Sequence, residues 1–215
     1  MDVEIRGVSL RLLPQRAALL VEAATLLVAD AHLGKAASFR RLGVPVPEAT
    51  TGDNLERLSA LVADTGARRI VFLGDLVHSA RSHAPATVEA ITAWRRRQAH
   101  LELTLVRGNH DRHAGPPPAA WGLEVLDGPL PLNGLLLAHE PRPEAGGYVL
   151  AGHLHPCAVL GGRAHDRLRL PCFHFGAEVG LLPAFGSFTG MHVVPRASGD
   201  RVYVIADAEV RPLPG

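Results

Sequence analysis

Five short apolar runs in this chain each end on side chains of the metal-binding kind: "TLLVADAHLGK", "RIVFLGD", "LELTLVRGNHD", "GLLLAHEP" and "YVLAGHLHP". An apolar run of four to eight residues closed by a turn signal reads as a buried strand. Proteins that alternate strands with helices gather their functional side chains at the carboxyl ends of those strands. The repeated pattern therefore requires a fold in which several strand ends share one edge.

What lies between the runs narrows the class. "GDNLERLSALVADTG" places Leu55, Leu58, Leu61 and Val62 at helical spacing and closes on Gly66. A second helix is predicted from about Ala84 to His100, between the strand Arg69–Leu73 and the strand "LELTLV". After the Pro-rich turn "GPPP", short strands follow with little helix, among them "LEVL", "LRLPCFHF" and "RVYVIADA". A βαβα half followed by a strand-rich half predicts two packed sheets with helices outside, in one domain over residues 1–215.

Composition excludes several classes. A hydrophobic content of 47% with only 5% aromatics predicts a core of Leu, Val and Ala. The net charge of +1 gives no global argument for or against a nucleic-acid partner. Cys157 and Cys172 are too few for a disulfide framework and read as small buried residues. Asp2 and Glu4 sit where a secretory leader would carry positive charge. The run "AALLVEAATLLVA" is broken by Glu22 and falls short of the roughly 20 residues a membrane span needs. A soluble, cytoplasmic protein is expected.

Singly, each polar cluster has a bland explanation: Asp after Gly is a common turn, and a lone His is usually just hydrogen-bonded. Together they do not. In "DAHLG" and "GHLHP" the two candidates are separated by one residue, which in an extended chain puts both side chains on one side. Two aspartates (Asp30, Asp75), Asn109 and the histidines His32, His139, His153 and His155 make a set large enough for two metal ions. Mixed imidazole and oxygen donors suit Mn, Fe, Zn or Co better than Mg or Ca. The charge is informative: two divalent ions, two carboxylates and one hydroxide leave about +1, matched to an anionic phosphate ester. A carboxylate in place of the neutral Asn109 would cancel it.

These five blocks, in this order, resemble the calcineurin-type metallophosphoesterases, whose motifs read D-x-H, G-D, G-N-H-D/E, a lone H and G-H-x-H. The resemblance implies a four-layered α/β-β/α sandwich of two mixed sheets flanked by helices. It implies one divalent transition metal on Asp30, His32 and His155 and another on Asn109, His139 and His153, with Asp75 bridging. Manganese is the metal it favours most. It further implies that a hydroxide shared by the two ions attacks phosphorus, that His110 is the general acid, and that Asp111 orients His110. The finer matches "DAHLGKAASFRRLGVPVP", "GDLVHS" and "LPAFGSFTGM" are similar to the prokaryotic DNA-ligase-associated metallophosphoesterases. That similarity implies a DNA phosphodiesterase or endonuclease of DNA repair, acting on single-stranded or damaged DNA and linked to a ligase and a helicase.

Lys35, His78 and Arg40 are candidate phosphate contacts, each weighed against an ordinary solvated or capping role. His174 and His192 are weaker candidates for lining the pocket. Arg95–Arg97 reads as a solvated helix face. The loop "PAFGSFTG" is expected beside the active site or at a subunit contact, which would make a homo-oligomer. Two alternatives stand: hydrolysis of a small nucleotide or other phosphate ester, and a binding scaffold that lost its chemistry. Intact ligand positions with His110 argue against the scaffold.

Overall fold

The computed structural model describes residues 1–36, 39, 50–161 and 167–214. Seven strands form the first sheet in chain order: β1 (Asp2–Ile5), β2 (Val8–Leu13), β3 (Ala17–Leu20), β4 (Thr25–Val28), β5 (Arg69–Leu73), β6 (Glu102–Val106) and β7 (Leu123–Leu126). Pairing is antiparallel from β1 to β4 and parallel from β4 to β7. The parallel segment points the ends of β4, β5 and β6 to one edge.

Helices make the parallel connections. α1 (Thr50–Thr65) buries Leu55, Leu58, Leu61 and Val62, the stripe its spacing predicts, and Gly66 beyond it takes a left-handed φ of 66°. α2 (Pro85–Arg97) begins on Pro85, where a missing amide hydrogen costs nothing, and buries Thr87, Ile91 and Trp94. A short α3 (Asn109–Ala114) follows β6. The inner strands are buried on both faces, as a covered parallel sheet requires. Leu26, Val28, Ile70 and Phe72 pack toward the helices, while Leu27, Val71 and Leu73 pack on the opposite face.

The second sheet runs β14 (His192–Val193), β11 (Pro156–Gly161), β12 (Arg167–Phe175), β13 (Val179–Leu181), β10 (Tyr148–Ala151), β9 (Leu135–Leu137) and β8 (Leu130–Leu132). β15 (Arg201–Ala206) pairs with β12 and β16 (Glu209–Leu213). β9, β10 and β13 are parallel neighbours. Leu135, Leu137, Leu150, Phe173 and Phe175 pack against Leu27, Val71, Leu73 and Val106 of the first sheet in one cluster. The result is two mixed sheets stacked face to face and flanked by helices, the sandwich expected from the sequence. No helix among the described residues is long and apolar enough to cross a membrane.

Candidate metal centre

The five clusters follow the carboxyl ends of β4, β5 and β6 in one sheet and of β9 and β10 in the other. Backbone bonds carry this alignment past the strands. Asp30 N donates to Gly74 O (3.3 Å), His32 N to Asp75 O (2.9 Å) and Ala138 N to Leu150 O (2.9 Å). His153 N donates to the Asp30 carboxylate (2.9 Å) and joins the two sheet edges.

Two groups of side chains converge there. Asp30, His32 and His155 offer ligand atoms within 4.8 Å of one another, and so do Asp75, His139 and His153. Asp75 lies between the groups: one oxygen is 3.9 Å from His32 Nε2 and the other 3.5 Å from His139 Nε2. Asn109 Oδ1 is 2.9 Å from His139 Nε2. Seven residues from distant parts of the chain thus meet at one place.

Their backbone is not the extended chain that the D-x-H and H-x-H spacing suggested. β4 ends at Val28 and β10 at Ala151, and Asp30, His32, Asp75, His153 and His155 all have φ between 44° and 69°. Such left-handed conformations cost on the order of 1–3 kcal/mol at a functional site and persist only where the surroundings impose them. The paired side chains do face one point, but a left-handed turn aims them, not a pleat. Close approach is needed as well. A Cβ on Gly74, itself at φ 76°, would lie 2.1 Å from His139 Nδ1, and one on Gly108 would lie 2.2 Å from Asp75 Oδ1.

Hydrogen bonding supports a fit to cations. His139 Nδ1 meets Leu73 O at 3.0 Å and His155 Nδ1 meets Gly190 O at 3.0 Å. An N–H donated to each carbonyl leaves Nε2 with a bare lone pair. Those lone pairs point into the two groups: His139 Nε2 lies 2.9 Å from Asn109 Oδ1 and 3.1 Å from His153 Nδ1, and His155 Nε2 lies 3.4 Å from His32 Nε2. Asp30 Oδ1 is buried with no hydrogen-bond partner. Imidazole nitrogens, carboxylate oxygens and an amide oxygen gathered this closely, one carboxylate oxygen without a hydrogen bond, form a donor set that two divalent ions fit.

The electrostatics agree. Burial pushes the Asp75 carboxyl up to about 6, with the charge of Asp30 adding to the rise and His139 opposing it. Burial holds the His32 imidazole neutral, lowering its pKa to about 2, with the nearby Lys35 charge second. Buried neutral imidazoles beside buried carboxylates are prepared for metal, not for protons.

His110 stands at the rim, half-buried. Its Nδ1 lies 2.8 Å from the backbone oxygen of His78 and its Nε2 4.0 Å from the Asp75 carboxylate. Asp111 does not orient it. The Asp111 carboxylate accepts from Gly108 N (2.9 Å) and Val77 N (3.1 Å), so it ties two ligand-bearing loops together. The His78 ring stacks on His110 at 4.7 Å, and burial followed by Lys35 lowers its pKa to about 4. A backbone carbonyl as the His110 partner was missed by sequence reasoning, because a carbonyl has no sequence signature.

Lys35 is half-buried and lines a notch with His32. Arg40 lies outside the described residues. His174 pairs with Asp200 at 2.7 Å and is not brought to this edge. His192 is exposed, though its amide donates to His155 O (3.0 Å). Cys157 and Cys172 are buried and unpaired. The "PAFGSFTG" loop does pack beside the centre, with Phe185 N donating to Ala29 O (2.8 Å).

A family profile described as calcineurin-like phosphoesterase matches residues 24–155, which contain all seven converging residues. The chain is 42% identical to the nuclease MPE of Pseudomonas putida, over 99% of each chain and with a TM-score of 0.87. Yfce, a phosphoesterase from E. coli, matches at 16% identity over 86% of this chain and 95% of its own, with a TM-score of 0.43, too distant to carry an argument. A comparison with curated proteins finds no match.

Proposed function

The chain belongs to the calcineurin-like phosphoesterase family, and from that premise we propose that it is a manganese-dependent DNA phosphodiesterase acting endonucleolytically on single-stranded or damaged DNA. The observation that carries the reading is Asp75, within 4 Å of a histidine of each group. The likeness to a Pseudomonas nuclease supports a nucleic-acid substrate. A place in DNA repair beside a ligase and a helicase belongs to the same proposal.

Asp30, His32 and His155 would hold one ion and Asn109, His139 and His153 the other, with Asp75 shared. Two bound divalent ions supply a water acidified to near-neutral pKa and a positive clamp on the phosphate oxygens. The chain's own contribution is proton delivery. With Nδ1–H donated to His78 O, the His110 ring presents Nε2 to the site, and in its protonated form it can hand that hydrogen to the leaving 3′ or 5′ oxygen. His78 is held neutral by burial, so the stacked ring adds no charge that would oppose protonation of His110. Lys35 places an ammonium on the same side as His32, where it can meet a phosphate oxygen.

The test is a manganese-supplemented assay of purified protein on five substrates: bis(p-nitrophenyl) phosphate, p-nitrophenyl phosphate, single-stranded DNA, duplex DNA and a 2′,3′-cyclic nucleotide. Cleavage of the chromogenic diester and of single strands, above the monoester and the duplex, is expected. Hydrolysis confined to the cyclic nucleotide or the monoester would replace this reading with a small-molecule esterase.

A further inference from the structure

The loop that follows β13 is fastened to the metal centre at both ends. Gly186 N donates to Asp30 O (3.1 Å), and four residues later Gly190 O accepts from His155 Nδ1 (3.0 Å). Asp30 and His155 belong to the same group of converging ligands. Inside this bracket, Ser187 Oγ donates to Asn54 Oδ1 (3.0 Å) and Thr189 Oγ1 to Gly186 O (3.1 Å), so the loop is held in one shape. The preceding Phe185 is fully buried, with the Arg57 guanidinium 3.9 Å over its ring and donating to its carbonyl. Phe185 anchors the loop. Phe188, at its midpoint, is 43% exposed.

An exposed phenylalanine alone needs no explanation. Its setting does: Phe188 lines one notch with His32, a converging ligand, and with Lys35, Thr51, Asn54 and Ser187. Among the described residues, every other side chain at that lip is polar, basic or very small. The notch holds only about 10 Å³, room for one water, so neither a base nor a sugar can enter it. A nucleotide whose phosphate reached His32 and Lys35 would leave its base outside, against the ring of Phe188.

We infer that Phe188 is a stacking platform for the base next to the scissile phosphate, on the side of Asp30, His32 and His155. The inference rests on the nucleic-acid reading proposed above. Stacking on one aromatic ring is sequence-tolerant, because every base presents a π face, and here no base edge enters a pocket to be read. Bases already stacked in a duplex are not free to use such a platform, so it favours single strands.

The experiment uses the metal-loaded full chain and two strands of equal length. One is an ordinary deoxyoligonucleotide, the other an oligomer of abasic residues; methyl p-nitrophenyl phosphate is the base-free diester control. The protein is expected to favour the base-bearing strand on the order of tenfold to a hundredfold in kcat/KM, through KM. Phe188→Ala should abolish that preference, and Phe188→Trp should keep it. Equal treatment of the two strands by the unsubstituted protein, or a preference that survives Phe188→Ala, overturns the inference and leaves the nuclease reading standing. Turnover of the small diester with no cleavage of either strand overturns both.

Discussion

At the scale of single residues, the proposed mechanism gives metal binding and proton transfer to different side chains. His110→Ala should therefore keep the metal content of the unsubstituted protein, measured by elemental analysis. It should lose about 10²–10⁴-fold in kcat on a dinucleotide, whose leaving alkoxide needs a proton, and much less on a p-nitrophenyl diester, whose leaving group does not. Equal loss on both substrates, or loss of metal, would show that His110 does something else. Burial also makes a claim about the metal-free protein. His32 has a pKa near 2 when folded, against an ordinary 6.5, so between those values the unfolded chain binds a proton the folded chain refuses. His78, near 4, acts in the same direction. Asp75, raised from 3.8 to about 6, opposes them, because between those values the folded chain holds the extra proton. Burial also lowers His153 and raises Asp111, one on each side of the balance, so in chelator the urea midpoint should fall between pH 7 and pH 5. A midpoint that rises on acidification would mean that these imidazoles are not held neutral.

At the scale of elements, Asp111 belongs to loop architecture. Asp111→Asn puts an amide NH₂ against one of two backbone N–H donors and should cost about 1–3 kcal/mol of stability in thermal denaturation. The alkaline limb of the pH–rate profile, where a general acid loses its proton, should stay in place, because the His78 carbonyl, not Asp111, holds His110. An unchanged melting temperature with a displaced alkaline limb would return Asp111 to the proton path. Much at this scale was legible in the sequence. β5 falls on the expected Arg69–Leu73, and α2, Pro85–Arg97, lies within the span expected from about Ala84 to His100. Periodicity marks such elements because burial dictates it. The turns were not legible in the same way. Asp30 and His32 lie beyond β4 in left-handed backbone, bonded to Gly74, Asp75 and Gly186 from distant parts of the chain. The sequence also gives no sign that Asn109, just past β6, opens the short α3. The partner of Asp111 was misjudged because adjacency in sequence says little about which way a buried carboxylate turns.

At the scale of the whole molecule, the two sheets supply different halves of the donor set: Asp30, His32, Asp75 and Asn109 from the first, and His139, His153 and His155 from the second. The core between the sheets must therefore hold their edges in register. Phe173→Ala, at a fully buried position in that core, should cost about 3–5 kcal/mol in denaturant unfolding. Metal should also stabilise the protein by an amount that grows with its free concentration, since only the folded chain unites the ligands. The central claim is that one aspartate makes two metal groups into one centre. Electron paramagnetic resonance of the manganese-loaded protein tests it most directly. Two ions per chain with the spectrum of an exchange-coupled pair are predicted, with the coupling lost in Asp75→Asn; a single ion, or two that remain magnetically independent in the unsubstituted protein, would contradict it.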